Sequence, residues 1–253
     1  MKTSHQRGAT MVELLIALPM FVLFIFIIAE LSRMHEAKSI LDVAALAAAR
    51  AGAIYGGDSG KMRDAANTAM APLYVTDNAS VGDVVAAIAK SKLDDLPIHS
   101  IGSTSITSIP FLGSFNGGPG GTLQRSIKID VISPTKRMVD DFGVVRADSN
   151  GNPAKTKVIP NDNLMYRSST LKNDVNVQDA NLLKIRVTYL YETKMPLTRY
   201  FFTPLMNANL TAVLFGGEAE GDVGLNRDLN WRVPLVSYAT VRMQSDFQAT
   251  SLP

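Results

Sequence analysis

Near the start of the chain, a glycine and a glutamate have the spacing that most clearly suggests chemistry. Gly8 and Glu13 follow the cations Lys2 and Arg7, and an uncharged apolar run of sixteen residues follows from Leu14 to Ala29. A carboxylate carried into hydrocarbon costs about 2.5 to 3.5 kcal/mol even on lenient insertion scales. Glu13 therefore needs a positively charged partner, and its chemistry is ion pairing rather than catalysis.

Elsewhere the residues form no catalytic or metal-binding pattern. The chain has no cysteine, which excludes disulfides and thiolate metal sites. The three histidines are isolated, with no H-E-x-x-H spacing, and the glycine-rich stretch 117–121 lacks the G-K-[ST] of a phosphate-binding loop. We therefore expect no enzyme activity, no catalytic residue, no cofactor and no metal ion. The histidines are His5, His35 and His99.

The apolar run is long enough to cross a membrane. Ala9 to Ala29 is twenty-one residues, about 31 Å of helix, and a hydrocarbon core is about 30 Å thick. Lys2 and Arg7 precede the span and favour a cytoplasmic N-terminus. They also account for the whole net charge of +2. The rest of the chain is neutral with no basic block, so we expect no nucleic-acid partner.

Gly8 and Glu13, between a short basic leader and an apolar helix, resemble the cleavage site of type IV prepilins. The resemblance implies that an aspartic membrane peptidase cuts after Gly8, leaving Ala9 as the first residue and Glu13 as the fifth. The run from Arg7 to Met34, with Pro19 inside it and Glu30 at its end, resembles the TadE-like minor pilins and pseudopilins of tight-adherence systems. An alanine-rich continuation, 44–53, extends the likeness.

This resemblance implies a structural component, or an assembly primer, of a type IV-like pilus. Its expected partners are the prepilin peptidase, other pilin or pseudopilin subunits, the inner-membrane assembly platform, and membrane lipid along 9–29. The resemblance also implies that Glu13 meets the N-terminal amine of a neighbouring subunit during assembly. The expected location is the bacterial inner membrane, single-pass, with the C-terminal domain in the periplasm or in an extracellular pilus.

Two other interpretations of the N-terminus remain open. An ordinary cleaved secretory signal has a shorter apolar region followed by a small-residue cleavage site, whereas a polar helical continuation follows Ala29 here. An uncleaved anchor explains the length and flanks of the run, but not the acid at its start. The alternative function is therefore an inner-membrane-anchored periplasmic binding or scaffold module of a secretion or pilus machine.

The expected fold is α+β and pilin-like: a long membrane-spanning helix packed on an antiparallel sheet, with additional short helices. We divide the chain into a leader (1–8), the N-terminal helix (9–57) and an extracytoplasmic globular domain (58–253). The pattern predicts further helices from Asp58 or Ser59 to about Ala71, from Ser80 to about Leu96, and from Thr203 to Gly216. It predicts strands at Ile98–Phe115, Leu123–Ile132, Leu183–Tyr191 and Trp231–Met243. Between the second and third strands, Asp140 to Val177 is expected to be a polar surface excursion with at most short strands, and Trp231 is expected to be buried.

Overall fold

A single helix of 49 residues, α1 (Gln6–Ile54), forms the N-terminal part of the protein. The computed structural model describes residues 6–75, 81–94, 127–147, 153–193, 213–214 and 232–248. Helix α1 ends where Gly56 and Gly57 adopt φ values of +67° and +82°, a left-handed backbone that glycine adopts without a Cβ penalty. The long helix predicted within 9–57 is confirmed, although it begins three residues earlier, at Gln6, and ends at Ile54.

By its internal contacts the chain divides into two compact units. The first comprises Met1–Ala37 and Leu190–Pro234, and the second comprises Lys38–Tyr189 and Leu235–Pro253. Helix α1 and two strands, Leu182–Glu192 and Arg232–Arg242, contribute residues to both units.

Two short helices follow α1 and match the predicted boundaries. Helix α2 (Ser59–Ala69) begins after Asp58, whose carboxylate accepts hydrogen bonds from the backbone N–H groups of Gly60 at 2.8 Å and Lys61 at 3.4 Å. This N-cap satisfies amides that have no partner within the helix. A 3₁₀ turn (Ala71–Tyr74) takes up Pro72, and helix α3 (Val81–Asp94) confirms the third predicted helix.

The first sheet has three strands in the order β1-β4-β5. Strand β1 is Ile127–Ser133, β4 is Leu182–Glu192 and β5 is Arg232–Arg242. The first two are antiparallel, with Ile129 opposite Val187. The predicted strand is confirmed, but the inside-outside alternation holds only in its first half: Leu183, Ile185 and Val187 are fully buried between more exposed neighbours, whereas every residue from Val187 to Tyr191 is buried. Strand β5 confirms the last predicted strand, and its first predicted residue, Trp231, lies outside the described residues.

A second three-stranded sheet was not predicted. After helix α4 (Lys136–Phe142), strands β2 (Val144–Ala147) and β3 (Pro153–Ile159) form a hairpin to which β6 (Phe247–Gln248) adds, in the order β2-β3-β6. A further one-turn helix, α5, covers Val177–Ala180. The expected polar excursion between 140 and 177 therefore carries part of a sheet. Val144 and Val145 are both exposed, so β2 lacks the inside-outside alternation that identifies a half-buried strand.

In the second unit, small residues of α1 allow close packing. Five alanines of the alanine-rich stretch are fully buried, and a Cβ on Gly52 would lie 2.6 Å from Met62 Sδ and 2.7 Å from Leu183 Cδ2. Real Cβ atoms do not approach other atoms so closely. The density of small residues thus brings α2 and β4 against α1. The five alanines are Ala44, Ala45, Ala48, Ala49 and Ala53.

The segment after β5 closes the C-terminal end of α1. The carbonyl oxygen of Ala53 accepts hydrogen bonds from the backbone N–H groups of Gln244 at 3.0 Å and Ser245 at 3.1 Å, and from Ser245 Oγ at 3.0 Å. The N–H of Gly56 donates to the same Oγ at 2.8 Å. The fully buried ring of Phe247 lies against Gly57. Helix-terminal groups that an isolated helix leaves to water are satisfied here by a distant part of the chain.

Some predicted elements lie outside the described residues. These are the strand at Ile98–Phe115, the start of the strand at 123–126, and the helix from Thr203 apart from Val213 and Leu214, which are helical. With a long apolar N-terminal helix, antiparallel sheets and short helices, the predicted α+β class is confirmed.

Candidate membrane-spanning and assembly segment

The first half of α1 is covered with exposed apolar side chains. Met11 and Leu15 are each 76% exposed and Met20 is 70% exposed. In the most hydrophobic stretch the mean hydropathy is 2.8, and only 6% of that stretch is buried. Of the helices that the structure describes, α1 alone is long and apolar enough to cross a membrane, judged by length and composition. An apolar surface of this extent is the form that a lipid-facing or bundle-buried helix requires.

The three predicted site residues lie on this one continuous helix. Gly8 and Ala9 are part of its backbone, and Glu13 lies about 7.5 Å further along the axis from Gly8 at the usual rise per residue. Glu13 is exposed, and no described side chain forms an ion pair or hydrogen bond with it. The helix thus presents a carboxylate on an apolar surface.

A second glutamate, Glu30, differs from Glu13 because it is buried and hydrogen-bonded within the chain. It directly follows the apolar run, is fully buried, and accepts a hydrogen bond from the hydroxyl of Tyr191 at 3.1 Å. Both residues belong to the first compact unit. The sequence shows Glu30 as the acid that ends the run but gives no sign of its partner, because 161 positions separate the two residues.

Within the second unit, an ionic network holds the loop that follows β3. Arg146 contacts Asp162 at 2.9 Å and Asp246 at 2.8 Å, while Arg167 contacts Asp162 at 2.8 Å. The hydrogen bond from Arg167 holds the pKa of Asp162 below its usual value of 3.8. Because Asp246 also accepts a hydrogen bond from the N–H of Asn161 at 2.8 Å, the network joins three distant parts of the sequence.

The described residues include one cleft beside a short helix but no cluster of metal ligands. No group of three or more potential metal ligands occurs among them. A cleft of about 460 Å³ lies beside α4, with Lys136, Arg137 and Lys172 among its lining residues. Lys172 donates to the backbone oxygen of Asp141 at 2.8 Å, and the carboxylate of Asp141 accepts from Asn173 at 2.8 Å. These contacts hold the wall of the cleft in place, and they do not pair a nucleophile with a general base.

Comparison with known proteins identifies the segment that carries α1. Residues 8–50 match the family described as TadE-like protein, which is less than a fifth of the chain. The predicted resemblance to TadE-like proteins is confirmed over these residues. The match points to a component related to the Tad pilus, a structural role that involves other components of the same system. No curated protein and no solved structure matches the chain.

Proposed function

We propose that this protein is a minor pilin or pseudopilin of a tight-adherence pilus, either a structural subunit or a primer of assembly. The observation that carries the proposal is the division of α1 within the segment matched as TadE-like. The first half of the helix exposes an apolar surface and Glu13, whereas the second half is packed into protein. Such a helix can stay in a membrane and later join other apolar helices without refolding its domain.

In this proposal the chain is inserted with its N-terminus in the cytoplasm and its globular part in the periplasm. The cations Lys2 and Arg7 before the span support this orientation. A prepilin peptidase then cuts after Gly8, and the inner-membrane assembly platform receives the processed chain. Glycine suits the cleavage position because a Cβ there would obstruct close approach of the peptidase to the backbone.

Processing gives Glu13 a natural partner. The new N-terminus at Ala9 is an α-amino group, which is largely protonated near neutral pH because its ordinary pKa is about 7.7 to 8.0. The positive end of the α1 dipole offers Glu13 only about 0.3 to 1 kcal/mol, less than the cost of burying it. An ion pair between Glu13 and the amine of a neighbouring subunit supplies the difference.

Intact mass and N-terminal sequence of the membrane-extracted protein test the processing step. We expect a product that lacks eight residues and begins at Ala9. Gly8→Val should leave the full-length precursor, whereas Thr10→Val, a matched change two positions away, should be processed normally. An unprocessed wild-type chain would instead support a permanently anchored periplasmic binding or scaffold module. Removal of eight residues from Gly8→Val would show that the site does not need glycine.

A further inference from the structure

The cleft beside α4 carries more positive than negative charge. Two of its cations, Lys136 and Arg137, begin the helix, and we call them the α4 cations; the third cation is Lys172. Among the described residues that line the cleft, Asp141 is the one acid, so three cations and one acid give a net charge of +2. All four residues belong to the second compact unit. A cleft lined mainly by one sign of charge concentrates ions of the opposite sign.

The acids of α4 do not neutralise the α4 cations. Each acid lies four residues after one of the cations, a spacing at which opposite charges can pair on a helix. Asp140 instead contacts Lys157 at 3.4 Å, and the carboxylate of Asp141 accepts a hydrogen bond from Asn173 at 2.8 Å. In the part of the chain that the structure describes, neither α4 cation has an ion pair or a side-chain hydrogen bond. Their N–H donors are therefore left to water or to a ligand.

The third cation is held in place with donors to spare. The ammonium group of Lys172 donates to the backbone oxygen of Asp141 at 2.8 Å and lies 5.4 Å from the centre of the Phe142 ring. Backbone hydrogen bonds of 2.9 Å and 3.1 Å between Lys172 and Val175 close a tight turn that carries the lysine. Because an ammonium group has three N–H donors, two remain for a ligand after the bond to Asp141.

The charge and size of the cleft fit a phosphate monoester. Such a group carries a charge of about −1.5 to −2 at pH 7 and three strong acceptor oxygens, which balances +2 better than the single charge of a carboxylate. The planar guanidinium of Arg137 can bind two phosphate oxygens at once. The volume of about 460 Å³ lies in the range of small-molecule sites, about 300 to 1,000 Å³. Met138 and Val175 add apolar lining for the organic part of the ligand.

We propose that the cleft beside α4 binds a small phosphate monoester, with Lys136, Arg137 and Lys172 as the groups that hold its phosphate. The same chemistry is offered by a soluble sugar phosphate and by a lipid whose headgroup ends in a phosphate. The inference is independent of the proposed role in a pilus, since the described residues of the site lie between 135 and 175 and include no part of α1. It gives the globular part of the protein a ligand site separate from the segment that carries Glu13.

Calorimetric titration of the full-length protein in a neutral detergent tests the proposal, with glucose 6-phosphate as the probe. We expect saturable binding at one site, weaker binding of glucuronate and none of glucose. Lys136→Gln and Arg137→Gln should each weaken binding by about tenfold, as for one lost charge-assisted hydrogen bond. Arg137→Lys, which keeps the charge, should bind more tightly than Arg137→Gln. Arg50→Gln is the matched control, because Arg50 is an exposed arginine outside the cleft, and it should bind as the wild type does.

A second probe, dioctanoyl phosphatidic acid with dioctanoyl phosphatidylcholine as its control, distinguishes the two sources of the phosphate. Binding of glucose 6-phosphate alone would identify a soluble ligand, and binding of the phosphatidic acid alone would identify a lipid headgroup. If the wild type binds neither probe saturably, the proposal is wrong, whatever the variants do. An equal loss of affinity in Arg50→Gln and Arg137→Gln would assign the binding to general charge attraction and would also overturn it.

Discussion

At the scale of single residues, the two glutamates at the ends of the apolar run illustrate two ways to carry a carboxyl group beside a membrane. Glu13 is exposed on the helix, with no ion-pair partner among the described side chains, whereas Glu30 is buried against Tyr191. In the proposed assembly role, the first arrangement leaves an interaction that a neighbouring subunit completes. The second completes it within the chain. The first is therefore suited to assembly, and the second to holding the helix to its sheet.

Replacing Glu13 tests its part in assembly. Glu13→Leu should still insert in the membrane, because the hydrophobicity of the span only rises, but it should fail to join the filament or its priming complex. Glu13→Gln, which keeps the shape and loses the charge, should show the same defect. Crosslinking to pilin partners in membranes is the measurement, with Glu36→Leu as the control because Glu36 is an exposed glutamate of the same helix outside the span. Wild-type crosslinking and normal pili in both Glu13 variants would remove the assembly role.

Replacing Tyr191 tests the internal contact. Tyr191→Phe removes the hydroxyl that donates to Glu30 and should lower stability by about 1 to 2 kcal/mol, since one hydrogen bond to a buried acid is lost. The thermal midpoint of the full-length protein in detergent reports the change. Tyr166→Phe, the same change at an exposed tyrosine, should leave the midpoint unaltered. Equal midpoints for both variants would mean that the Tyr191 hydroxyl contributes nothing.

At the scale of elements, α1 changes its environment along its length without a break. Its first half exposes large apolar side chains, and its alanine-rich half packs small side chains against α2 and β4. Gly52 marks the closest approach, because there is no room for a Cβ between Met62 and Leu183. The small residues are therefore a packing requirement of the second unit and not only a source of helix propensity.

A larger residue at Gly52 should separate these elements. Gly52→Val is expected to cost about 1 to 3 kcal/mol through overpacking, seen as a lower unfolding midpoint with the TadE-like helix otherwise intact by circular dichroism. Ala51→Val, at the neighbouring and partly exposed position, should have a smaller effect. The reverse order of the two variants would show that the packing at Gly52 can relax.

The sequence predicted those elements whose patterns repeat over a long stretch. The 49 residues of α1 and the 11 residues each of β4 and β5 carry enough turns or alternations to be recognised. The second sheet escaped prediction because β2 has four residues and β6 only two, and their pairing joins residues far apart in sequence. Gly8, Ala9 and Glu13 were predicted from a local sequence motif. The partner of Glu30 could not be predicted in this way, because it depends on the tertiary fold.

At the scale of the whole molecule, the ionic network of the second unit joins β2, the loop after β3 and the segment that precedes β6. Arg146 contacts Asp162 of the loop and Asp246 of the last segment, and Arg167 completes the environment of Asp162. Single exposed ion pairs contribute little, and networks contribute more because the side chains are already ordered by one another. The network thus joins residues that lie far apart in the sequence of the second unit.

Acid should weaken this network in a defined direction. The pKa of Asp162 is lowered in the folded protein, chiefly by the Arg167 hydrogen bond. Its contribution is therefore fully present above the usual value of 3.8 and is lost as the pH falls through the lower folded value. The midpoint difference between wild type and Asp162→Asn should be clear at neutral pH and should shrink at acid pH. Asp174→Asn, an exposed aspartate outside the network, is the control. A difference that stays constant with pH would exclude titration of Asp162 as its cause.

The contacts between the end of α1 and the segment after β5 can form only late in synthesis. The contact between Gly56 and Ser245 joins positions 189 residues apart. At a synthesis rate of about 5 to 20 residues per second, the segment that contacts the end of the helix is made roughly 10 to 40 s after the helix itself. The apolar half of α1 is made first and is ready for the bilayer well before that. In the proposed spanning role, the chain would therefore be held in the membrane before its synthesis ends, and the end of α1 would be packed only when the late segment arrives.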